Sequence, residues 1–447
     1  LVTDGSSSQR HDNASIAVLD LDPGQPEFSP PGLVSLVQVA KPNLSPSFCH
    51  PGPEQGIDVI RSHAIASVSP AVDPEQYVDC ALELFSCYQT KLAIKAPLIV
   101  NTPGWILGTG LEILMQLIKK MKPTEVIYMS QEGPEETVDG LKLACQDTPL
   151  VTLPSQASDY TSRTALHFRE MQAMSYFHSV TTPQQTDRRW DPSPLTAQAP
   201  WRVRFKRPSP GFIGLLCYDY QPAPNLIAEV INGMMVALVV IENKAAWKDL
   251  LVEEPGSGEG EDSESGDDFM ALDSPGGDMS TDGKPIPRPE VLRTPEDLPY
   301  IPNLSGQTLD PKHSRLLGLA LIRGIDVSRG ELQILTPIPE DSLEEVARSR
   351  ADLVLVVGKF DTPSWAYTED FYRRTSNNSN VEVAGPVEMA DEDTSNDESE
   401  SGRIDDVKAP REYSDSPWVE LLHGSQKRSV GSKVWRVRRD LGRTGGL

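Results

Sequence analysis

Cysteine is sparse: the 447 residues include five, Cys49, Cys80, Cys87, Cys145 and Cys217. Their number is odd and no two stand as C-x-x-C, which excludes a disulfide scaffold and a structural zinc site of the usual spacing. The thiols read as small, mostly core residues of a protein in a reducing compartment. Long apolar runs are also missing. The longest, residues 226–241, is interrupted by Glu229 and Asn232 and is no membrane span. Nothing reads as a secretory signal. Bases are outnumbered, with 41 Lys and Arg against 65 Asp and Glu, for a formal charge of −24. Apolar residues, at 38%, suffice for a sizeable core, but part of the chain is expected to stay disordered. Length alone points to two or three domains.

The acid is concentrated in two tracts. Eleven Asp and Glu and no base lie between Glu253 and Gly283, and seven and no base between Glu388 and Glu400. Setting those eighteen aside moves the charge from −24 to −6. The acidic balance therefore does not exclude a nucleic-acid substrate. At the other extreme, Lys427, Arg428, Lys433, Arg436, Arg438, Arg439 and Arg443 form a basic tail. Such a tail suits nucleic-acid binding or nuclear and nucleolar retention, and composition does not separate the two.

Over the first 180 residues, short apolar runs alternate with helical patterns. Strands are predicted at 15–21, 33–39, 64–68, 97–101, 125–129 and 150–153, and helices at 73–92, 109–121 and 134–145. Leu114, Leu117, Ile118 and Met121 share a face of the second helix, and Thr109 with Glu112 matches a T-x-x-E capping box. The alternation predicts an α/β unit, a mostly parallel sheet flanked by helices. After about Pro183 the pattern becomes strand-rich, at 201–205, 211–218, 234–241, 316–322, 331–335 and 353–357. A β-rich C-terminal domain over 195–375 is expected, interrupted by a disordered acidic insertion at 252–299. Residues 376–410 form a second acidic disordered segment, and 411–447 an extension with the basic tail.

Three motifs carry chemistry. In residues 18–28, VLDLDPGQPEF, an apolar strand ends in Asp20 and Asp22 and turns at Pro23-Gly24. Ligands of parallel sheets bind at the carboxyl ends of strands. A carboxylate there can hold Mg²⁺, directly or through water, or take a proton from an attacking hydroxyl. Plain turn chemistry at Asp22-Pro-Gly is an equal alternative. In residues 99–111, IVNTPGWILGTGL, a second buried strand ends in Asn101 and Thr102. Gly104, Gly108 and Gly110 permit close backbone approach, and Trp105 is placed to stack on a base or to anchor its loop in the core. In residues 163–169, RTALHFR, Arg163 and Arg169 suit a clamp on a transferring phosphoryl group, whereas their spacing alone favours an exposed amphipathic helix. On one continuous helix they would lie about 120° apart, so they share a face only if Arg163 precedes the helix. His63, His167, His178 and the Cys49-His50 pair read as hydrogen-bonded or loop residues, without metal spacing.

Taken together and in order, DLDPGQPEF, NTPGW followed by G-x-G-x-E, and MSYFH resemble the nucleolar polynucleotide 5′-hydroxyl kinases of pre-ribosomal RNA processing. The resemblance is close over about residues 14–180 and looser through QAPW, GLLCYDY, INGMMVALV, LLGLALIRGID and LVLVVGKFDTPSW. It implies a P-loop kinase domain over 1–182 that transfers the ATP γ-phosphate to the 5′-hydroxyl of RNA. It also implies residue roles. Asp22 becomes the Walker B type carboxylate near Mg²⁺, and Asp20 and Gln25 support the nucleotide side. Thr102, Gly104 and Trp105 become a clasp over the RNA end, with Ser69 and Pro70 near the substrate. Arg163 and Arg169 become lid arginines. The implied partners are RNA with a 5′-hydroxyl end and an endonuclease subunit in a hetero-oligomer, in the nucleolus and away from membranes.

The family's Walker A loop, G-x-x-x-x-G-K-[ST], does not occur in this sequence. With Leu at position 1, the chain is expected to be truncated at its N terminus, with the loop upstream. The alternative expectation is a non-catalytic assembly subunit of the rRNA-processing endonuclease complex. A P-loop GTPase or ATPase switch would call for N-K-x-D, which is also missing.

Overall fold

The computed structural model describes residues 15–92, 96–130, 135–145, 148–154, 163–182, 185–251, 289–349 and 351–369. Most of the expected acidic insertion, the second acidic segment and the basic tail lie outside the described residues.

The first unit opens with β1 (Ile16–Asp20), β2 (Leu33–Val39) and β3 (Ile57–Ala64), followed by α1 (Pro74–Lys91) and β4 (Leu98–Asn101). The sheet order is β3-β2-β1-β4. β4 pairs in parallel with β1, Asp20 facing Asn101, whereas β2 and β3 are antiparallel additions. β3 lies upstream of the expected 64–68. The alternating residues Ala17, Leu19 and Leu21 are fully buried against α1 and the next helix, with Tyr77, Leu84 and Leu117. Each such leucine contributes about 1.5–3 kcal/mol by leaving water. Phe28 covers Val37 and Ile57 in a separate small cluster.

α1 starts where the sequence says it should. Asp73 accepts from the Gln76 amide at 3.0 Å, and Pro74 occupies the first turn, where its missing N–H costs nothing. The predicted capping box of α2 (Thr109–Met121) does not form. Thr109 is already helical, and Gly108, at φ +54°, takes the cap position without a side-chain bond. Next come β5 (Val126–Tyr128), α3 (Glu135–Ala144) and β6 (Leu150–Thr152), with β5 and β6 parallel. α4 (Ala165–Phe177) then leads to the hairpin of β7 (Ser179–Thr182) and β8 (Gln185–Trp190).

The second unit is one eight-stranded sheet. Its elements are β9 (Trp201–Arg204), β10 (Gly214–Cys217), α5 (Ile227–Ile231), β11 (Met235–Ile241), β12 (Leu292–Arg293), β13 (Pro299–Tyr300), β14 (Ser314–Asp326), β15 (Glu331–Leu335), α6 (Glu340–Ser349) and β16 (Asp352–Val357). The order is β12-β13-β10-β16-β11-β14-β15-β9. The expected insertion therefore ends earlier than residue 299, because β12 and β13 already belong to this sheet. β11, MVALVVI, is buried throughout, with alternate residues feeding two cores. Val236 and Leu238 join Phe205, Phe212 and Ile231 on one face. Ala237, Val239 and Ile241 join Tyr176, Phe177 and Trp365 on the other.

That second core joins the units. Tyr176 of α4 donates its hydroxyl to the Leu319 carbonyl and accepts from the Leu319 amide at 2.9 Å. Arg61 of β3 adds a polar clamp. Its Nη2 reaches Glu242 at 2.9 Å and the carbonyls of Pro311 and Ser314 at 3.1 and 2.9 Å, while its Nε pairs with Glu83. Among the described residues, no helix is long and apolar enough to cross a membrane.

Candidate active site

β1 and β4 end side by side, and their carboxyl ends carry the two acidic and amide groups expected there. The pairing continues one step, with the Leu21 amide on the Asn101 carbonyl at 2.9 Å. Asn101 Nδ2 donates to Asp20 Oδ1 at 2.9 Å. Asp20 Oδ2 accepts from the amides of Glu27 at 2.6 Å and Phe28 at 3.2 Å. Asp20 is fully buried, and its carboxyl is pushed up to about 6 by burial, against the three hydrogen bonds that favour its charge. Both its oxygens are occupied by protein donors. Asp20 thus braces the loop.

Asp22 is only half-buried. Its Oδ1 accepts from the amides of Gly24 at 2.9 Å and Gln25 at 3.1 Å, an Asx-type turn. Among the described residues both bonds fall on one oxygen, which leaves Oδ2 for a ligand. Turn chemistry and a functional carboxylate therefore coexist in one side chain. Burial raises its pKa, and the nearby Arg169 guanidinium works in the opposite direction. A Cβ at Gly24 would come within 2.8 Å of the Val68 carbonyl, so the turn is packed against the segment leaving β3. Gln25 is exposed at the rim.

α4 closes over this turn. Thr164 caps it reciprocally with His167, and Arg163 lies before the helix, as a shared face with Arg169 requires. Arg169 Nε is paired with Asp361, beyond the end of β16. Gln172 is buried and donates from Nε2 to the carbonyls of Pro26 and Ser29, both at 2.7 Å. Between α4 and the short helical turn Ser47–Cys49 lies an open cavity of about 300 Å³, lined by Gln25, Ser47, Phe48, Phe168, Arg169 and Gln172. Arg169 thus shares this cavity with Gln25, whose amide is bound to Asp22.

On the other side, Thr102, Trp105, Pro70 and Tyr77 line a narrow apolar pocket under α2. Trp105 is half-buried and packs on that helix. A Cβ at Gly110 would lie 2.2 Å from its carbonyl oxygen. Trp105 therefore anchors its loop without being fully buried, and Gly104 faces open space. Tyr77 donates its hydroxyl to the Leu21 carbonyl at 2.9 Å, tying α1 to the acidic strand end. Ser69 is half-buried and its hydroxyl accepts from the Ala71 amide at 3.3 Å.

Among the described residues, His63, His178 and His50 have partners of their own. His63 is buried against Glu83 at 2.6 Å. His178 is buried between Glu369 and the Asp191 carbonyl and stacks on Trp190. His50 bonds to Asn43 and Glu27. All five cysteines are free thiols, four of them buried. Among the described residues, no three His, Cys, Asp or Glu side chains converge on a metal position. Mg²⁺ on Asp22 Oδ2 would draw its other ligands from water and phosphate oxygens, in keeping with its habit of retaining waters.

Sequence reading missed Gln172, Asp361 and the Arg61 clamp. Asp361 follows the apolar strand β16 after Gly358, the same pattern that marked Asp22 after β1.

Residues 7–179 match the family described as "mRNA cleavage and polyadenylation factor CLP1 P-loop". A "Polynucleotide 5′-hydroxyl-kinase GRC3" of Gibberella zeae is 43% identical over 99% of this chain and 58% of its own length. The chain is similar to this kinase over that stretch. A relative of the same name from Aspergillus fumigatus is 34% identical over 95% of the chain and 54% of its own length. One from Aspergillus oryzae is 38% identical over 80% and 45%. The chain thus spans about half the length of the curated relatives it matches. Among solved structures, a Clp1p–Pcf11p complex is similar at 12% identity, covering 79% of this chain and 69% of that one with a TM-score of 0.42.

Proposed function

We propose that this chain carries the acceptor side and the lid of a polynucleotide 5′-hydroxyl kinase, acting on RNA with a free 5′-hydroxyl end and using ATP. The single observation behind this reading is that Arg169, on a separate helix, lines one cavity with Gln25, whose amide is bound to the Asp22 carboxylate of the acidic turn. In-line phosphoryl transfer needs a carboxylate and a guanidinium of this kind. The hydroxyl oxygen attacks the γ-phosphorus, the bond to the ADP oxygen breaks, and the hydroxyl proton is lost. Asp22 orients the hydroxyl and accepts that proton, or hands it to water. Arg169, with Arg163 ahead of the same helix, balances charge on the transferring group. Mg²⁺ bound at Asp22 would neutralise phosphate charge. Thr102, Gly104, Trp105 and Ser69 would hold the RNA end, with Trp105 stacking on a base. Gln25 lies at the rim on the nucleotide side.

The motif resemblance supports placing this activity in pre-rRNA spacer processing, in the nucleolus, with an endonuclease whose cut leaves a 5′-hydroxyl end. In the protein at its native length, Asp22→Asn is expected to abolish transfer from labelled ATP to a 5′-hydroxyl oligoribonucleotide while the melting temperature is kept. Turnover near that of the parent would overturn the assignment.

A further inference from the structure

We propose that Asp361, supplied by the second unit, is the positioning residue of Arg169 and thereby makes that unit part of the phosphoryl-transfer site. The proposal rests on the kinase reading above.

The path of the segment after β16 carries the argument. Instead of turning into solvent, it runs across the first unit. Ser67 forms a parallel bridge with Lys359. A Cβ at Gly358 would lie 2.3 Å from the Ala66 carbonyl, and one at Gly32 would lie 2.6 Å from the Phe360 ring. Phe360 is buried in the core shared by the units. Packing on both sides thus determines the course of residues 358–361, and with it the position of the Asp361 carboxylate.

The segment 66–68 is also the wall of the acidic turn, since the Val68 carbonyl faces Gly24. One stretch of three residues therefore touches the exit of β16 and the Asp22 turn. Arg169 spans the remaining gap. Its Nε is paired with Asp361 Oδ2, and both side chains are largely shielded from water, at 18% and 27% exposure. One turn further along α4, Gln172 pins the helix to Pro26 and Ser29. Among the described residues, Nη1 and Nη2 of Arg169 carry no hydrogen bond, so the outer edge of the guanidinium is presented to an anion. Holding Nε removes rotamer freedom that a free arginine would otherwise lose on meeting the transferring phosphoryl group.

The experiment is steady-state kinetics on the native-length protein carrying Asp361→Asn, Asp361→Glu, Arg169→Ala and the Asp361→Asn/Arg169→Ala pair, with melting temperatures recorded. Asp361→Asn is expected to lower kcat about ten- to a hundredfold with KM for RNA unchanged. Asp361→Glu is expected to restore part of the loss, and Asp361→Asn to cost nothing further once Arg169 is alanine. A parental kcat in Asp361→Asn would overturn the proposal, as would a loss that adds in full on Arg169→Ala. If Asp361→Asn does not fold, Asp361→Glu carries the test: its kcat must respond while its melting temperature does not. Asp22→Asn in the same series separates the two readings. Parental turnover there sinks the kinase assignment itself, whereas a dead Asp22→Asn beside a fully active Asp361→Asn sinks only the role of Asp361.

Discussion

Asn101 reaches across the parallel β1–β4 pair to donate to Asp20 Oδ1 at 2.9 Å, one strand end bracing the carboxylate of the other. Asp20 is fully buried, and burial pushes its pKa up to about 6. A carboxyl whose folded pKa lies above its unfolded one binds the proton more tightly when folded. Stability therefore falls as pH rises from about 4 to about 6, and the penalty is constant above that window. The shift corresponds to about 3 kcal/mol. Asp20→Asn, with Asn101 able to turn its amide oxygen toward the new donor, should remove that slope. Denaturant titrations at pH 4 and pH 7 check this: the stability difference between variant and parent should grow in favour of Asn at pH 7.

Gln172 ties α4 to the loop that follows Asp22. Replacing it with alanine leaves the carbonyls of Pro26 and Ser29 without their shared donor in a buried place. A loss of about 2–3 kcal/mol is expected. Because α4 also carries Arg169, the loosening should reach the site. Hydrogen exchange should speed up over residues 23–32 and along α4, and kcat should fall with KM for ATP rising. Unchanged exchange over residues 23–32 would show that the loop holds its own shape.

Much of this arrangement was readable before any coordinates. The strand ending at Asp20-Leu-Asp22 and the one ending at Asn101-Thr102 were visible because an apolar run that stops at a polar residue marks a strand's carboxyl end. The start of α1 was visible because Asp73-Pro74 has one sensible use. Other features depend on pairing. An apolar run has no direction, so nothing in residues 33–39 announced that β2 would be antiparallel to β1. Thr109-x-x-Glu matched a capping pattern, but Gly108 took the cap because its positive φ suits the loop packed around Trp105. Asp20 and Asp22 looked alike in sequence. Only the fold assigns one to bracing the loop and leaves an oxygen of the other free. Asp361 and Gln172 act at distances of 192 and 146 residues from their partners, which no local pattern encodes.

Arg61 should matter to the assembly of the units more than to the chemistry. Its partly buried guanidinium satisfies Glu83, Glu242 and two carbonyls of the second unit. Arg61→Ala leaves Glu83 with His63, Glu242 with Arg315 and two carbonyls without the guanidinium at the junction, and a loss of about 3–5 kcal/mol follows from breaking one side of such a network. Arg61→Lys should recover less than half of it, because a single ammonium cannot reach all four acceptors. Calorimetry should show one transition for the parent and, for the alanine variant, the first unit melting ahead of the second. A single transition at the parental temperature would show that the apolar contacts of Tyr176 and Phe177 hold the junction alone.

The two glycines around Trp105 should behave oppositely, and their contrast separates the anchoring role of the loop from its proposed grip on RNA. At Gly110 an added Cβ would sit 2.2 Å from the Trp105 carbonyl oxygen and 2.7 Å from its ring, so the backbone of the loop must shift. Gly110→Ala should therefore cost about 1–3 kcal/mol by overpacking, although alanine is the better helix former. At Gly104 the added carbon meets nothing within 4 Å, so Gly104→Ala should leave stability within about 0.5 kcal/mol of the parent. If Gly104 lies against the RNA end, the same methyl should raise KM for a 5′-hydroxyl oligoribonucleotide while leaving KM for ATP unchanged. Thermal unfolding and the two KM values measured on both variants decide the matter. A Gly104→Ala protein with parental KM for RNA would leave Trp105 as a packing residue only, and the RNA end would have to be sought along the Phe48–Phe168 cavity instead.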